Sequence, residues 1–209
     1  NVYEPLSIII LPQLWSFKNL ETINIHVLEP DRTRPSACLS TCWLDLSSLT
    51  ELSLSVADGV TIQLDHLDAP MLERLTLVGQ EFKEITGLSQ CVHLSSIDIQ
   101  GTSVADLSPI AAACEALRNI NIAGTDITTL EPLSGCRQIN NLNTDHCKRL
   151  VNLRGLEQAV VTADPLYLRN APIESLRWFP FFEGSSLTLW HLPLSDLAGI
   201  DKAKTLKYT

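Results

Sequence analysis

The sequence predicts an α/β solenoid, a fold in which one short unit is repeated and stacked. The first observation is self-similarity: residues 72–77 (LERLTL), 94–99 (LSSIDI) and 117–122 (LRNINI) share one pattern, and they begin 22 and 23 positions apart. The second is that each segment is followed by apolar residues at helical spacing. Repetition at a period of roughly 20 to 50 residues is the sequence signature of solenoid proteins.

Each repeat combines a strand pattern with a helix pattern. Apolar residues at repeat positions 4 and 6 alternate with polar residues at positions 3, 5 and 7, as in a strand with one buried face. Stacking predicts a parallel concave sheet of roughly eight strands, about 4.8 Å apart. Apolar positions 11, 14, 17 and 20 predict short helices or 3₁₀ turns on the convex side. We expect one helix to begin at Ser108, with Ser108 as its N-cap and Pro109 at its first position.

The repeat frame covers residues 20–209 in about eight repeats. Their opening residues are Leu20, Leu49, Leu72, Leu94, Leu117, Ile139, Ala163 and Gly184. Residues 1–19 are out of phase, and we interpret them as a partial or capping repeat over the open end of the core. Leu206 stands where a further repeat would open, which predicts that the chain is a fragment of a longer protein.

Composition argues against several classes of function. The net charge is −9 and Lys and Arg form no run, so we expect neither nucleic-acid binding nor attraction to acidic membranes. The most apolar run, residues 6–14, is too short to span a bilayer, which predicts no membrane insertion. Phosphate-binding loops, nucleophile elbows, zinc-protease motifs and EF-hand loops are absent from the sequence. We therefore expect a non-enzymatic protein without a cofactor.

The cysteines are interpreted first as core residues. Cys91, Cys114 and Cys136 occupy one repeat position and so predict a buried column; the alternative is a metal or redox site. Cys38 and Cys42 have no companion pair at zinc-finger spacing. Regularly placed thiols without an evident disulfide framework favour a reducing compartment, and hence the cytoplasm.

Residues 145–147 (DHC) combine three side-chain types that can bind metal or exchange protons. Only Cys147 falls on a core-facing position, and we interpret His146 as a solvated turn residue. No metal site is predicted.

Residues 104–110 (VADLSPI) and 127–133 (ITTLEPL), each following a strand, resemble the leucine-rich repeat family. The likeness is to the short-repeat type of SDS22-like and internalin-like proteins, and also to kinetoplastid leucine-rich repeat proteins. It implies a scaffold that binds another protein. The family usually carries Asn at repeat position 9, whose amide bonds to backbone groups of neighbouring coils. Here that column reads Gln80, Thr102, Thr125 and Cys147, and we expect the threonine hydroxyls to take over this role.

The concave face is the predicted binding surface. Its middle is small and rich in amides, whereas its C-terminal end is aromatic and basic, and Tyr, Trp and Arg dominate binding hot spots. The alternative is an ordinary solvated sheet face, and for Trp190 a side chain that a following repeat would cover. The predicted partner-binding residues, taken from repeat positions 5 and 7, are Asp98, Gln100, Asn121, Asn143, Asp145, Tyr167, Arg169 and Trp190.

A second functional hypothesis is structural. The solenoid would be an assembly module of a cytoskeletal or organelle-associated complex, self-associating through its ends. The aromatic segment 178–182 (WFPFF) bears on it: Phe179 and Phe182 fit core positions, whereas Trp178 and Phe181 would lie on the convex side, against the adjacent coil or against a partner.

Overall fold

The computed structural model describes residues 19–27, 38–40, 46–57, 61–64 and 67–203. The predicted cap at 1–19 lies outside the described residues except for Asn19, and so do Cys42 and Leu206. In chain order the strands are β1 (Thr22–Val27), β2 (Cys38–Ser40), β3 (Glu51–Val56), β4 (Thr61–Gln63), β5 (Arg74–Val78), β6 (Ser96–Asp98), β7 (Asn119–Asn121), β8 (Gln138–Ile139), β9 (Asn141–Asn143), β10 (Val160–Val161), β11 (Leu166–Arg169), β12 (Phe181–Phe182) and β13 (Leu187–Trp190). The 3₁₀ helices are Thr86–Gln90, Ser108–Ala113, Glu131–Leu133 and Ile200–Lys202.

The predicted parallel solenoid is confirmed. Strands β1, β3, β5, β6, β7 and β9 pair in that order in one parallel sheet, with repeat position 4 of each strand in register with that of the next. The helices of the described convex side are all of the 3₁₀ type. Short 3₁₀ segments suit repeats this short, because the chain has few residues in which to return to the next strand.

A continuous apolar core fills the space between the sheet and the convex turns. In β3 and β5 every second side chain is buried, as the alternation of the sequence requires. The convex apolar positions close the core from the other side. Cys91, Cys114 and Cys136 are all buried in this core, in agreement with the predicted column.

Repeat position 9 bonds to the backbone, but the two threonines bond within their own coil and not to a neighbouring coil as predicted. Thr102 Oγ1 donates to the carbonyl oxygen of Ile99 at 2.8 Å, and Thr125 Oγ1 donates to that of Ile122 at 2.7 Å. In the next coil, Cys147 Sγ donates to the same Ile122 oxygen at 3.0 Å. Small buried donors thus satisfy backbone carbonyls at the turn, where a larger amide is the family's usual choice.

The cap of the helix at Ser108–Ala113 differs from the prediction. Leu107 is the N-cap residue, and Ser108 is already helical. The capping acceptor is Asp106 Oδ1, which receives the backbone N–H of Ser108 at 2.8 Å and its hydroxyl at 2.7 Å. Pro109 is at the start of the helix, as expected. The Asp106 carboxylate therefore accepts a backbone N–H at the start of the helix, and the Ser108 hydroxyl, which was predicted to accept one, donates to the same carboxylate.

The register of the last repeats also differs from the prediction. Val161 pairs with both Ile139 and Phe182, in a small parallel sheet of β8, β10 and β12. The opening core positions are therefore Val161 and Phe182, not Ala163 and Gly184. Val161 is five residues before the strand position at Leu166, whereas Ile139 is three residues before Leu142, so this coil holds two extra residues.

This insertion interrupts the concave sheet. Strand β11 pairs with β13, and these two form a separate parallel ribbon beyond β9. In a regular coil two successive N–H groups bond back to one carbonyl, as Ser95 and Ser96 do to Glu73. In the coil of β11 the position equivalent to Ser96 is Pro165, which directly precedes Leu166 and has no N–H to donate. The predicted sheet of about eight strands is thus six strands followed by a two-stranded ribbon.

Candidate partner-binding site

The predicted binding residues in the middle of the concave face make contacts within the chain. Asp98, Asn121 and Asn143 each accept the backbone N–H of the residue two positions later, at 3.1, 3.3 and 3.1 Å. In addition, Asn121 Nδ2 donates to Gln100 Oε1 at 3.1 Å. These short polar side chains form turns that end the strands. Their role in binding a partner stays a prediction.

The C-terminal end of the face contains an ion pair that joins two coils. Arg169 Nε donates to Asp145 Oδ2 at 2.9 Å, and its Nη2 donates to the same oxygen. This hydrogen bonding raises the pKa of the Arg169 guanidinium above its ordinary value. The guanidinium carbon also lies 4.6 Å from the centre of the Tyr167 ring. Asp145 is mostly buried, so the pair fixes Arg169 beside an aromatic surface.

Repeat position 8 takes the left-handed backbone conformation in successive coils. In the regular coils the residue is glycine: Gly79, Gly101 and Gly124 have φ of 132°, 70° and 68°. In the next three coils it is His146, Asn170 and His191, with φ of 58°, 54° and 53°. This conformation destabilises most L-residues by roughly 1 kcal/mol or more, although Asn and His adopt it more readily than other residues.

These three residues form a hydrogen-bonded row. Asn170 Nδ2 lies 3.3 Å from His146 Nε2, and Asn170 Oδ1 lies 3.1 Å from His191 Nδ1. We call His146, Asn170 and His191 the polar row. His146 is exposed in a turn, as the sequence predicted, but its pairing with Asn170 was missed. The available signal was the replacement of Gly by His or Asn at the repeat spacing.

Trp190 and Tyr167 complete the site. Trp190 is 56% exposed, lies in register with Arg169 on the neighbouring strand, and meets the His191 ring edge to face at 5.1 Å. Tyr167 is 40% exposed. Asp145, Tyr167, Arg169 and Trp190 are thus brought together with the polar row. Asp98, Gln100 and Asn121 belong to earlier coils, and Asn143 lies in the coil of Asp145 but holds the turn that ends β9. We call the assembled set the C-terminal patch: Asp145, His146, Tyr167, Arg169, Asn170, Trp190 and His191.

Residues 145–147, which combine three side-chain types that can bind metal, do not come together in the structure. Cys147 is buried against the Ile122 carbonyl while His146 is exposed, so residues 145–147 do not converge. Within the described ranges, no group of three or more His, Cys, Asp or Glu side chains could hold a metal ion. Nor does any helix in that part of the chain have the length and apolarity to cross a membrane.

In the aromatic segment 178–182, the two residues predicted to lie in the core are buried. Phe179 and Phe182 are buried and contact each other edge to face at 6.4 Å. Phe181 is exposed, and the centre of its ring lies 5.5 Å from Nζ of Lys202 in the adjacent coil. The Arg177 guanidinium lies over the Trp178 ring.

The architecture is that of a leucine-rich repeat protein, with parallel strands on one side and short 3₁₀ turns on the other. Among solved structures, the chain is similar to the internalin InlF of Listeria monocytogenes, with 16% sequence identity and a TM-score of 0.55. The match covers 84% of this chain and 58% of the internalin chain, so this chain spans little more than half of that protein. No protein-family model matches the sequence, and neither does any curated protein sequence. At this identity the likeness shows the fold.

Proposed function

We propose that the protein is a non-enzymatic scaffold that binds a partner protein with the C-terminal patch of its concave face. The observation that carries this proposal is the concentration of exposed Trp190 and Tyr167 beside the polar row. Leucine-rich repeat folds of the internalin type are typical interaction scaffolds, which supports the same function.

Two physical arguments favour binding over an ordinary solvated face. Large aromatic side chains offer rigid contact area at low entropic cost, and they dominate binding hot spots. The polar row keeps three non-glycine residues in a conformation that glycine occupies in the coils before it. Backbone strain of this kind persists mainly where it serves a function.

The test is quantitative affinity purification with the Trp190→Ala and Tyr167→Ala variants. We expect each variant to recover at least about tenfold less of its specific partners, as when a hot-spot residue is truncated. Its circular dichroism spectrum should be unchanged. Thr76→Ala, also on the concave face but in a regular coil, is the matched control and should keep its partners. Retention of every partner by both aromatic variants would refute the proposal.

The second candidate function is structural: the solenoid would be an assembly module of a cytoskeletal or organelle-associated complex, self-associating through its ends. Leu197 in the last described coil is 56% exposed and would lie in such a contact. Sedimentation velocity separates the two functions: concentration-dependent growth that Leu197→Glu abolishes favours assembly, and a monomer at all concentrations favours the scaffold.

We further propose a cytoplasmic location, because the four cysteines among the described residues whose side chains are placed are free thiols inside the core. Cell fractionation with an antibody against the chain tests this location directly. Recovery in a secreted or membrane-enclosed oxidising fraction would contradict it.

A further inference from the structure

Two thiols of the buried cysteine column meet across adjacent coils. Cys114 and Cys136 occupy the same repeat position in successive coils, and their side chains are hydrogen bonded to each other. A Cβ atom placed on Gly135, the residue before Cys136, would lie 3.1 Å from Cys114 Cβ and 3.9 Å from Cys114 Sγ. The Cys114 side chain therefore packs directly on the Gly135 backbone, beside the second thiol. Both cysteines are free.

Hydrogen-bond donors converge on the Cys114 sulfur. The Cys136 thiol donates to it, and so do the backbone N–H groups of Gly135 and Cys136. These bonds hold the pKa of the Cys114 thiol below its ordinary value, against the opposing effect of burial. The pKa of Cys136 is raised, because its proton is shared with Cys114 and its side chain is buried. At Cys91, one coil earlier, burial raises the pKa of the thiol to about 11.

The pair lies close under the convex surface. Cys114 is 3% exposed and directly follows the 3₁₀ helix Ser108–Ala113. Glu115, which comes next, is exposed, and so is Gly135, on which the Cys114 sulfur packs. A small oxidant therefore needs only a local opening of this turn to reach the sulfur, and short turns open far more readily than whole domains.

We propose that Cys114 and Cys136 form a redox-sensitive dithiol, which hydrogen peroxide converts into a disulfide between adjacent coils. The Cys114 thiolate attacks a peroxide oxygen, so that an S–O bond forms and the O–O bond breaks. The hydroxide that leaves takes up the proton released by Cys114, which gives water and a sulfenic acid. The Cys136 sulfur then attacks the Cys114 sulfur, the S–S bond replaces the S–O bond, and the Cys136 proton leaves with the hydroxide as a second water.

The electrons balance in this sequence, because two thiols are oxidised while one peroxide is reduced to two waters. Cytosolic disulfides, where they occur, are usually transient and redox-sensing, so the site is compatible with the cytoplasmic location proposed above. It is independent of the C-terminal patch, and its test does not require a partner protein.

Peptide mapping of the folded wild-type chain tests the proposal without any substitution. The reduced protein is exposed to hydrogen peroxide, the remaining thiols are blocked with N-ethylmaleimide in denaturant, and trypsin releases residues 84–118 and 119–137. We expect these two peptides to be cross-linked and to separate on treatment with dithiothreitol. Since residues 84–118 also contain Cys91, Cys91→Ala is the matched control and should give the same cross-link.

Two variants separate the roles of the thiols, with circular dichroism as the check on folding. Cys136→Ser keeps a hydrogen-bond donor and should stop at a sulfenic acid on Cys114, which dimedone traps. Cys114→Ser should leave Cys136 as a thiol. In Cys136→Ser, Cys114 should be labelled at least about tenfold faster than Cys91, because each unit of thiol pKa changes the thiolate population tenfold.

The contrary results are equally specific. Complete alkylation of both cysteines, at a peroxide concentration that oxidises glutathione in the same solution, would overturn the proposal. A cross-link that forms only in urea, or one made by Cys91 in place of Cys114, would also overturn it. Sulfenic acid on Cys136 in Cys114→Ser, with none on Cys114 in Cys136→Ser, would refute the assigned order of attack.

Discussion

The left-handed conformation of the polar row predicts that glycine is better tolerated than alanine at position 146. His146→Ala keeps φ near 58°, which costs an L-residue about 1 to 2 kcal/mol, and loses the hydrogen bond to Asn170. His146→Gly loses the same bond but relieves the strain, against a glycine entropy cost of about 0.5 to 1 kcal/mol. We therefore expect the glycine variant to be more stable than the alanine variant by about 0.5 to 1 kcal/mol.

Thr188 provides the matched control. It lies in the regular strand β13, where the same pair of substitutions should have the opposite order, with alanine more stable than glycine by about 0.5 to 1 kcal/mol. The measurement is urea unfolding followed by far-ultraviolet circular dichroism, with the midpoints of the four variants compared at a common slope. An alanine variant at 146 as stable as the glycine variant would refute the strain argument, and with it one reason for regarding the row as functional.

Three further predictions concern the core. Thr125→Val should cost about 1 kcal/mol by removing the 2.7 Å bond to the Ile122 carbonyl, measurable by the same unfolding assay, and Thr125→Ser should cost less if that bond is the cause. Ile120→Ala should cost about 2 to 5 kcal/mol, but Leu189→Ala clearly less because that residue is only partly buried; equal losses would contradict this dependence on burial. Burial raises the pKa of the Cys91 thiol to about 11, so the folded chain holds a proton that the unfolded chain releases near pH 9. Stability should therefore fall as pH rises from about 9 to 11, and Cys91→Ala should reduce that dependence in unfolding midpoints measured across this range.

The sequence was sufficient for the parts of the fold that repeat. The alternation in each strand and the convex apolar spacing both express local rules applied coil after coil, and the structure follows them. The register after Ile139 was not predictable in this way. Ala163 and Gly184 preserve the spacing of the pattern, but Val161 and Phe182 fill the opening core positions because larger apolar side chains bury more surface.

The polar row was hidden for a different reason. A histidine or asparagine in a turn is normally solvated, and each of the three residues is unremarkable when considered alone. Their relation depends on the left-handed backbone conformation at position 8 and on the register of successive coils. Side-chain contacts across coils become visible only when that register is known.

The break in the sheet determines which substitutions can separate binding from folding. Across it, a backbone bond from the His146 N–H to the Arg169 carbonyl joins the coils at 3.2 Å, together with the Asp145–Arg169 and His146–Asn170 contacts. Several patch side chains therefore stabilise the stack as well as face solvent.

Loss of binding in an Arg169 variant would accordingly be ambiguous, because a loosened break would also move the ribbon. Trp190 contacts the His191 ring and Tyr167 contacts the Arg169 guanidinium, and neither side chain bridges β9 to β11 by a hydrogen bond within the described residues. Their truncation should leave the break intact and remove contact area alone. A partner that tolerates both aromatic truncations but not Arg169→Ala would therefore indicate dependence on the geometry of the break, and would move the binding surface away from the patch.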